Sequence, residues 1–232
     1  MNHAAFQTLT ADGRIERHRH SHAYAALVLS GGYRETGDRG RFEARPGQLL
    51  IHGAWESHMN AVSAGGARVL NLPLPEGVDF DAALVADPDA VARAAKRDPA
   101  EAAAMLVRDA TPLEIAPSDW PEALAGALRR DPDLSLTVWA ARMDLAAATV
   151  SRGFARVFGT SPRRYRAEQR ALKAIRLLDR GDDPLAGIAA ELGFVDQAHM
   201  TRAVVGLTGL TPGRFRSSRY NPECSPSPNP AA

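Results

Sequence analysis

Two segments of this chain repeat one another fifty residues apart. Arg152 is followed by Gly159-Thr160-Ser161-Pro162, and Arg202 by Gly209-Leu210-Thr211-Pro212, with the same spacing from Arg to Gly to Pro. Each copy carries a short helical pattern, a tight turn and a second helical pattern ahead of its Gly. In the second copy these are Pro184–Leu192, Gly193-Phe194, and a helix starting after Asp196 and running to about Val205. Gly193 suits a left-handed turn position, and Asp196 can accept the orphan N–H groups of a helix start. In the first copy, Leu136–Met143 precedes the turn and Ala146–Phe158 follows it. Between the copies, Tyr165–Leu178 is predicted as a long helix with Leu172, Ile175 and Leu178 on one face. Arg163, Arg164, Arg166, Arg170, Lys173 and Arg176 crowd the remainder.

Charge separates this region from the rest. The net charge of +1 conceals 14 Lys and Arg against 19 Asp and Glu in residues 1–133, a net of −5. Residues 134–220 carry 14 against 7, a net of +7, and Glu223 supplies the remaining −1. An acidic front joined to a compact basic back points to a nucleic-acid-binding module at one end. The basic residues of that back half are all arginine except Lys173, and arginine suits bidentate contacts to phosphate and guanine. A GC-rich coding bias would explain arginine over lysine, but not the charge split.

The stretch Ile188-Ala-Ala-Glu-Leu-Gly-Phe-Val-Asp-Gln-Ala-His-Met-Thr-Arg202, ending in Gly209-Leu-Thr-Pro-Gly-Arg-Phe-Arg216, resembles the signature of AraC/XylS-type transcriptional regulators. Val150-Ser-Arg-Gly-Phe-Ala-Arg-Val-Phe-Gly-Thr-Ser-Pro-Arg-Arg-Tyr165, followed by Ala174-Ile-Arg-Leu-Leu178, is similar to the other half of that signature. The resemblance covers roughly residues 134–216. It implies two helix-turn-helix units whose second helices read bases in the major groove, held about one DNA turn (~34 Å) apart by the helix between them. Carried onto this chain, the first reader presents Ala148, Thr149, Ser151 and Arg152, and the second Gln197, Ala198, His199 and Arg202. Gln can pair with adenine and Arg with guanine. Arg163, Arg164, Arg214 and Arg216 would bind phosphate and position the domain. Two departures stand out: Val204 where the family usually has Phe, and Gly206 inside the reading helix. The Ala146-Ala-Ala148 run gives the first reader few polar tips, which favours backbone and methyl contacts over hydrogen-bonded readout.

The front half reads differently. Tyr24–Ser30 is an apolar run of strand length closed by Gly31-Gly32, Thr36–Gly40 is a hairpin-type loop, and Pro46-Gly47 opens the strand Gln48–His52. Ser63–Gly66 turns the chain before Arg68–Leu72. Short strands at this spacing predict an antiparallel sandwich or barrel. From residue 81 the sequence becomes Ala-rich, with Pro88, Pro99, Pro112 and Pro117 between predicted helices at Ala90–Arg97, Ala100–Val107 and Pro121–Arg130. Leu84, Val91, Met105 and Leu124 read as packing residues.

Six of the seven histidines lie within residues 1–58, and His18, His20 and His22 alternate, so in a strand they share a face. The H-x-H pair, the later Pro46-Gly47 and His58 resemble the two motifs of a cupin barrel, over about residues 13–72. In metal cupins a Glu shortly after H-x-H completes the site; here Tyr24, a poor ligand for a divalent metal, falls there. Three readings stay open for this cluster. His18, His20 and His58, with His52 as a substitute, could hold Zn, Fe or Ni. His18, His20, Tyr24, His52 and His58 could instead line an organic-effector pocket, or the histidines could be structural.

The expected architecture is α+β and multidomain: a cupin-like antiparallel β-barrel sensor over 1–80, a helical connector and dimerisation segment over 81–133, an all-α double helix-turn-helix domain over 134–218, and a Pro/Ser-rich disordered tail over 219–232. The expected function is a sequence-specific DNA-binding transcription regulator responding to a small effector in the barrel, not an enzyme. Promoter DNA and a small-molecule or metal effector are the expected partners; no cofactor is expected, a divalent metal (Zn, Fe or Ni) in the barrel being the one candidate. The family resemblance adds a homodimer and, for an activator, RNA polymerase. A metal-dependent cupin enzyme or metal sensor fused to a DNA-binding module is the rival, weakened by the missing Glu and the short front half. A second rival is a binding module that DNA merely tethers. One cysteine, Cys224, in the tail, excludes a disulfide framework or multi-cysteine zinc site. With no apolar run of ~18 residues and no apolar leader in the first fourteen residues, a cytoplasmic, non-membrane protein is expected.

Overall fold

The computed structural model describes residues 4–114, 116–117 and 119–218. The tail expected to be disordered lies outside the described residues, as does Cys224. The chain divides into two compact units, residues 1–117 and 118–232.

The described residues of the first unit form an eight-stranded antiparallel sheet built on two long strands, with two helices packed on it. β3 (Tyr24–Gly37) and β6 (Ser57–Pro73) pair along almost their whole length, from Tyr24↔Pro73 to Gly37↔His58. Each is shared by two neighbours. The first half of β3 pairs with β5 (Gln48–His52), and its second half with β4 (Gly40–Ala44) through a two-residue hairpin turn. One end of β6 pairs with β2 (Arg14–Arg19) and the other with β1 (Ala5–Leu9). β7 (Ala82–Val85) and β8 (Ala110–Pro112) extend the β5 side.

The predicted turn signals at Gly31-Gly32 and Ser63–Gly66 do not end strands; the ladder passes through both as bulges. Gly31 has φ +69°, and a Cβ there would sit 2.0 Å from the Gly66 carbonyl oxygen, so only glycine fits this bend. The bulges fold the paired ribbon. The sheet is not closed into a ring by strand pairing among the described residues.

Alternation along the strands gives two cores. Ala25, Leu27, Leu49, Ile51, Leu70 and Leu72 face one way and meet Val91, Ala94, Ala102 and Leu106 from α1 (Pro88–Ala95) and α2 (Pro99–Asp109). Ala26, Val28, Tyr33, Phe42, Leu50, Val62 and Val69 face the inside of the fold. Both helices start as their sequence dictates, with Asp87 and Asp98 accepting backbone N–H groups and Pro at the first turn. Residues 81–133, expected as a connector, divide between the units: β7, α1, α2 and β8 belong to the first and α3 (Trp120–Arg130) to the second. Val91 and Leu124 are buried as predicted, whereas Leu84 is 46% exposed.

Among its described residues, the second unit has helices and no strand. α4 (Leu136–Arg142), α5 (Ala147–Phe158), α6 (Pro162–Arg180), α7 (Leu185–Glu191), α8 (Gln197–Thr208) and α9 (Pro212–Ser218) follow α3. The fifty-residue repeat has a plain physical origin. Gly159 and Gly209 end α5 and α8 in the left-handed conformation, at φ 64° and 71°. Ser161 and Thr211 then accept the N–H groups of Arg164 and Arg214 at 3.2 and 3.4 Å, and Pro162 and Pro212 start the next helices. Each four-residue motif is therefore a helix stop joined directly to a helix start. α6 is longer than the predicted Tyr165–Leu178. Its 19 residues bury Tyr165, Leu172, Ile175 and Leu178 and form the spine of the unit.

Candidate functional site

In the first unit four strands bring their polar residues to one place. His18 lies on β2 directly across from His58 on β6, and His52 on β5 directly across from Tyr24 on β3. His20 follows β2; the backbone N–H of Trp55, held at φ 66°, donates to its carbonyl at 2.7 Å. The rings form a continuous cluster, with His18–His58 centroids 4.3 Å apart, His52–His58 4.4 Å and His18–His20 5.0 Å. Tyr24 stacks on His52 at 4.3 Å, and its Oη lies 3.3 Å from His58 Nε2. All five residues expected in the pocket are thus brought together. His22, which shares the strand alternation, is exposed and stands outside the cluster.

A sixth member was not anticipated. Glu35, on the far half of β3, is 4% exposed and presents Oε2 3.7 Å from His52 Nε2. Asn60, its cross-strand partner, donates Nδ2 to Glu35 Oε2 at 3.3 Å in the amide orientation that satisfies both ends. Two trios can each bring a ligand atom within 4.8 Å of one another: His18–His20–His58, and Glu35–His52–His58. The second is fully buried.

Burial governs the protonation of this pocket. It pushes the Glu35 carboxyl up to about 8. It pulls His52 down to about 3, helped by His20 and Arg39, and His58 well below the imidazole range, helped by His52 and His18. His20 is lowered by burial and by His18, and the Tyr24 hydroxyl is raised by burial and by Glu35. At neutral pH, therefore, Glu35 and His52 face each other largely uncharged rather than as an ion pair. The nearby charges are paired: Arg17 with Asp38 at 3.2 Å, and Arg39 with Glu56 and Asp81 at 2.6 and 2.9 Å.

In the second unit, α4–α5 and α7–α8 are two short-helix, turn, long-helix arrangements. Asp144 and Gly193 hold the left-handed turn positions, at φ 52° and 68°. On α5, Ala148, Thr149, Ser151 and Arg152 are exposed together, while Val150, Phe154 and Phe158 face inward. On α8, Gln197, Ala198 and Arg202 are exposed and Met200, Val204 and Thr208 buried. His199 is half-buried, edge-on to Phe194 at 5.3 Å, and so presents less of its ring than its neighbours. Arg163 and Arg214 are exposed in the first turns of α6 and α9, where a cation opposes the helix dipole and an anion would be favoured. Arg164 is engaged by Glu168 at 3.1 Å, and Arg216 donates to the Asp183 carbonyl.

Residues 139–218 match the model of a helix-turn-helix domain family. Over 66 residues the chain is 38% identical to the HTH-type transcriptional regulator ExsA of Pseudomonas aeruginosa, covering 28% of this chain and 24% of that one. The second unit carries a helix-turn-helix domain. The chain is also 32% identical over 84 residues to the virulence regulon transcriptional activator VirF of Yersinia enterocolitica, covering 36% of this chain and 31% of that one. The matches thus span about a quarter to a third of the length of these curated relatives. Among solved structures, ToxT of Vibrio cholerae O395 aligns over 92% of this chain and 96% of its own, at 9% identity and a TM-score of 0.43. The matched helix-turn-helix domain begins within α4 and ends with α9, so it contains both long helices α5 and α8 and their shared spine. Among the described residues, no helix is long and apolar enough to cross a membrane.

Proposed function

We propose that the chain is a sequence-specific DNA-binding transcription regulator whose β-sheet unit holds a small effector. The observation that carries this is the repeated pair of long helices, each ended by a left-handed glycine and each presenting an exposed face with an arginine, Arg152 or Arg202, within the helix-turn-helix domain. In this reading α4–α5 and α7–α8 are two helix-turn-helix units. Gln197 and Arg202 read adenine and guanine edges, and Ala148, Thr149 and Ser151 contribute closer, less polar contacts. Arg163 and Arg214, exposed in the first turns of α6 and α9, take phosphates and set the register. His18, His20, Tyr24, His52 and His58 form the effector pocket of a cupin-like sensor. An effector that prefers one state of the protein shifts the population competent for DNA. In this reading the chain catalyses no reaction, acts as a homodimer and, as an activator, contacts RNA polymerase.

Selection of bound sites from a random DNA library, followed by gel shifts across a salt series, tests the reading. One preferred site should emerge, bound roughly 10³-fold or more tighter than unrelated DNA, with a steep salt slope. Equal affinity for all sequences would refute it, because phosphate contacts alone cannot discriminate. Arg202→Ala should cost about 1–3 kcal/mol and relax preference at one base position, whereas Arg163→Ala should weaken all sequences alike.

A further inference from the structure

The pocket contains a donor set that the H-x-H pattern does not describe. Glu35, His52 and His58 come from three different strands, β3, β5 and β6, and none is more than 6% exposed. Their side chains face one another without completing hydrogen bonds. Glu35 Oε2 and His52 Nε2 stand 3.7 Å apart, too far for a hydrogen bond of about 2.7–3.2 Å. His58 Nδ1 is buried with no hydrogen-bond partner. A buried imidazole nitrogen left unpaired is costly, and native proteins seldom leave one so without a reason. Metal bonds of about 2.0–2.2 Å in tetrahedral arrangement hold neighbouring donor atoms roughly 3.4 Å apart; the Glu35–His52 pair stands at 3.7 Å, and donor atoms of all three residues lie within 4.8 Å of one another.

We propose that a divalent transition-metal ion binds between Glu35, His52 and His58, so that the effector of the pocket is, or includes, a metal ion. This rests on the reading of the pocket as an effector site and names the class of effector. Two imidazoles and one carboxylate suit zinc, iron(II) or nickel(II), whereas magnesium and calcium favour all-oxygen sets. Binding the ion displaces the proton that Glu35 holds at neutral pH to solvent, and the resulting carboxylate supplies the negative charge that three histidines alone would lack. Asn60, donating to Glu35 from across the ladder, holds that carboxylate in place as outer-shell partners of metal ligands do. Tyr24, stacked on His52, fixes the ring plane of a second ligand. His18 and His20, both half-buried, meet the His58 ring at 4.3 and 5.4 Å. They flank the ion instead of ligating it.

The test uses the untagged full-length chain, stripped with chelator and titrated with ZnCl₂ by calorimetry, with CoCl₂ as a spectroscopic probe. One ion per chain is expected, with Co²⁺ giving visible d–d absorption and the melting temperature rising on loading. Glu35→Gln preserves volume and should weaken Zn²⁺ binding by more than the ~10–100-fold that loss of an outer-shell partner costs; Asn60→Ala should fall within that range. His18→Ala and His20→Ala should change affinity less than about threefold, within the scatter of a contact that carries no ligand. Circular dichroism confirms folding, and His52→Gln makes the same test if Glu35→Gln does not fold. Absence of stoichiometric binding overturns the proposal. So does wild-type affinity in folded Glu35→Gln, or loss of binding in His18→Ala, which would place the ion on the H-x-H trio. Site selection on DNA is read separately: a chain that binds metal but discriminates no sequence keeps this site and loses the regulator reading, and the converse result does the reverse.

Discussion

The two helical copies of the second unit reach one backbone plan by different means. The first, α4–α5, is held by aromatic packing. Phe154 and Phe158 stack at 4.6 Å, and Tyr165 meets both edge-on. Leu124 and Leu128 of α3 join the same core. Its local signals are weak: Ala146 offers no side-chain cap to α5, and the turn places a non-glycine residue, Asp144, at φ 52°. The second copy, α7–α8, reverses the balance. Val204 and Thr208 stand fifty residues after Phe154 and Phe158. Thr208 spends its hydroxyl on the backbone at Val204 and Leu210. Compensation is local, from Gly193 in the turn and Asp196 capping the His199 N–H. A helix pair can therefore be specified by its core or by its ends, and the two routes should respond differently to substitution.

The largest expected contrast is in the core. Phe154→Ala should cost about 3–5 kcal/mol, since the ring is fully buried and its neighbours are aromatic and slow to collapse. Val204→Ala, also fully buried, removes only two carbons and should cost roughly 2 kcal/mol. Denaturant midpoints of the full chain, followed by helical signal, measure both. Equal costs would mean that the second copy leans on its core as heavily as the first.

This balance explains what the sequence made legible. The second copy was readable residue by residue, because caps and turn glycines act locally and are written in order along the chain. The first copy was readable mainly by analogy with the second, since its stability comes from contacts between Leu124, Phe154 and Tyr165 that no local pattern announces. The same distinction holds in the sheet. His18, His20, Tyr24, His52 and His58 were found from motif and alternation. Glu35 was not, because strict alternation from Tyr24 puts Arg34 and Thr36, not Glu35, on the pocket side. Bulges between Val28 and Tyr33 shift that parity. Gly31-Gly32 was the only hint, and it reads equally well as the turn predicted there.

A smaller contrast lies in two helix-interior glycines. Gly153 on α5 faces Trp120, whose ring would lie 2.4 Å from an added Cβ. Gly153→Ala should therefore destabilise by about 1–3 kcal/mol through overpacking. Gly206 on α8 is exposed, with open space where a Cβ would go. Gly206→Ala should stabilise by about 0.5–1 kcal/mol from helix propensity alone. Opposite signs in thermal melts support the view that the first copy is limited by packing and the second by local propensity; the same sign in both would break it.

The finest test concerns the caps. Asp196→Ala should cost about 1 kcal/mol, since it strips the His199 N–H of its acceptor. The reciprocal gain should appear at Ala146, where either Ser or Asp can cap α5 and stabilise by up to a similar amount. The two replacements separate stability from function. Asp places a negative charge at the start of the helix proposed to enter DNA, next to exposed Ala148 and Thr149, while Ser adds the same cap without charge. Both should raise the melting temperature, but only Ala146→Asp should weaken DNA binding, and by a margin that shrinks as salt rises. If Ala146→Asp bound DNA as well as Ala146→Ser did at low salt, the start of α5 would lie away from the phosphate backbone. The first copy would then contribute packing to the domain and not a reading head.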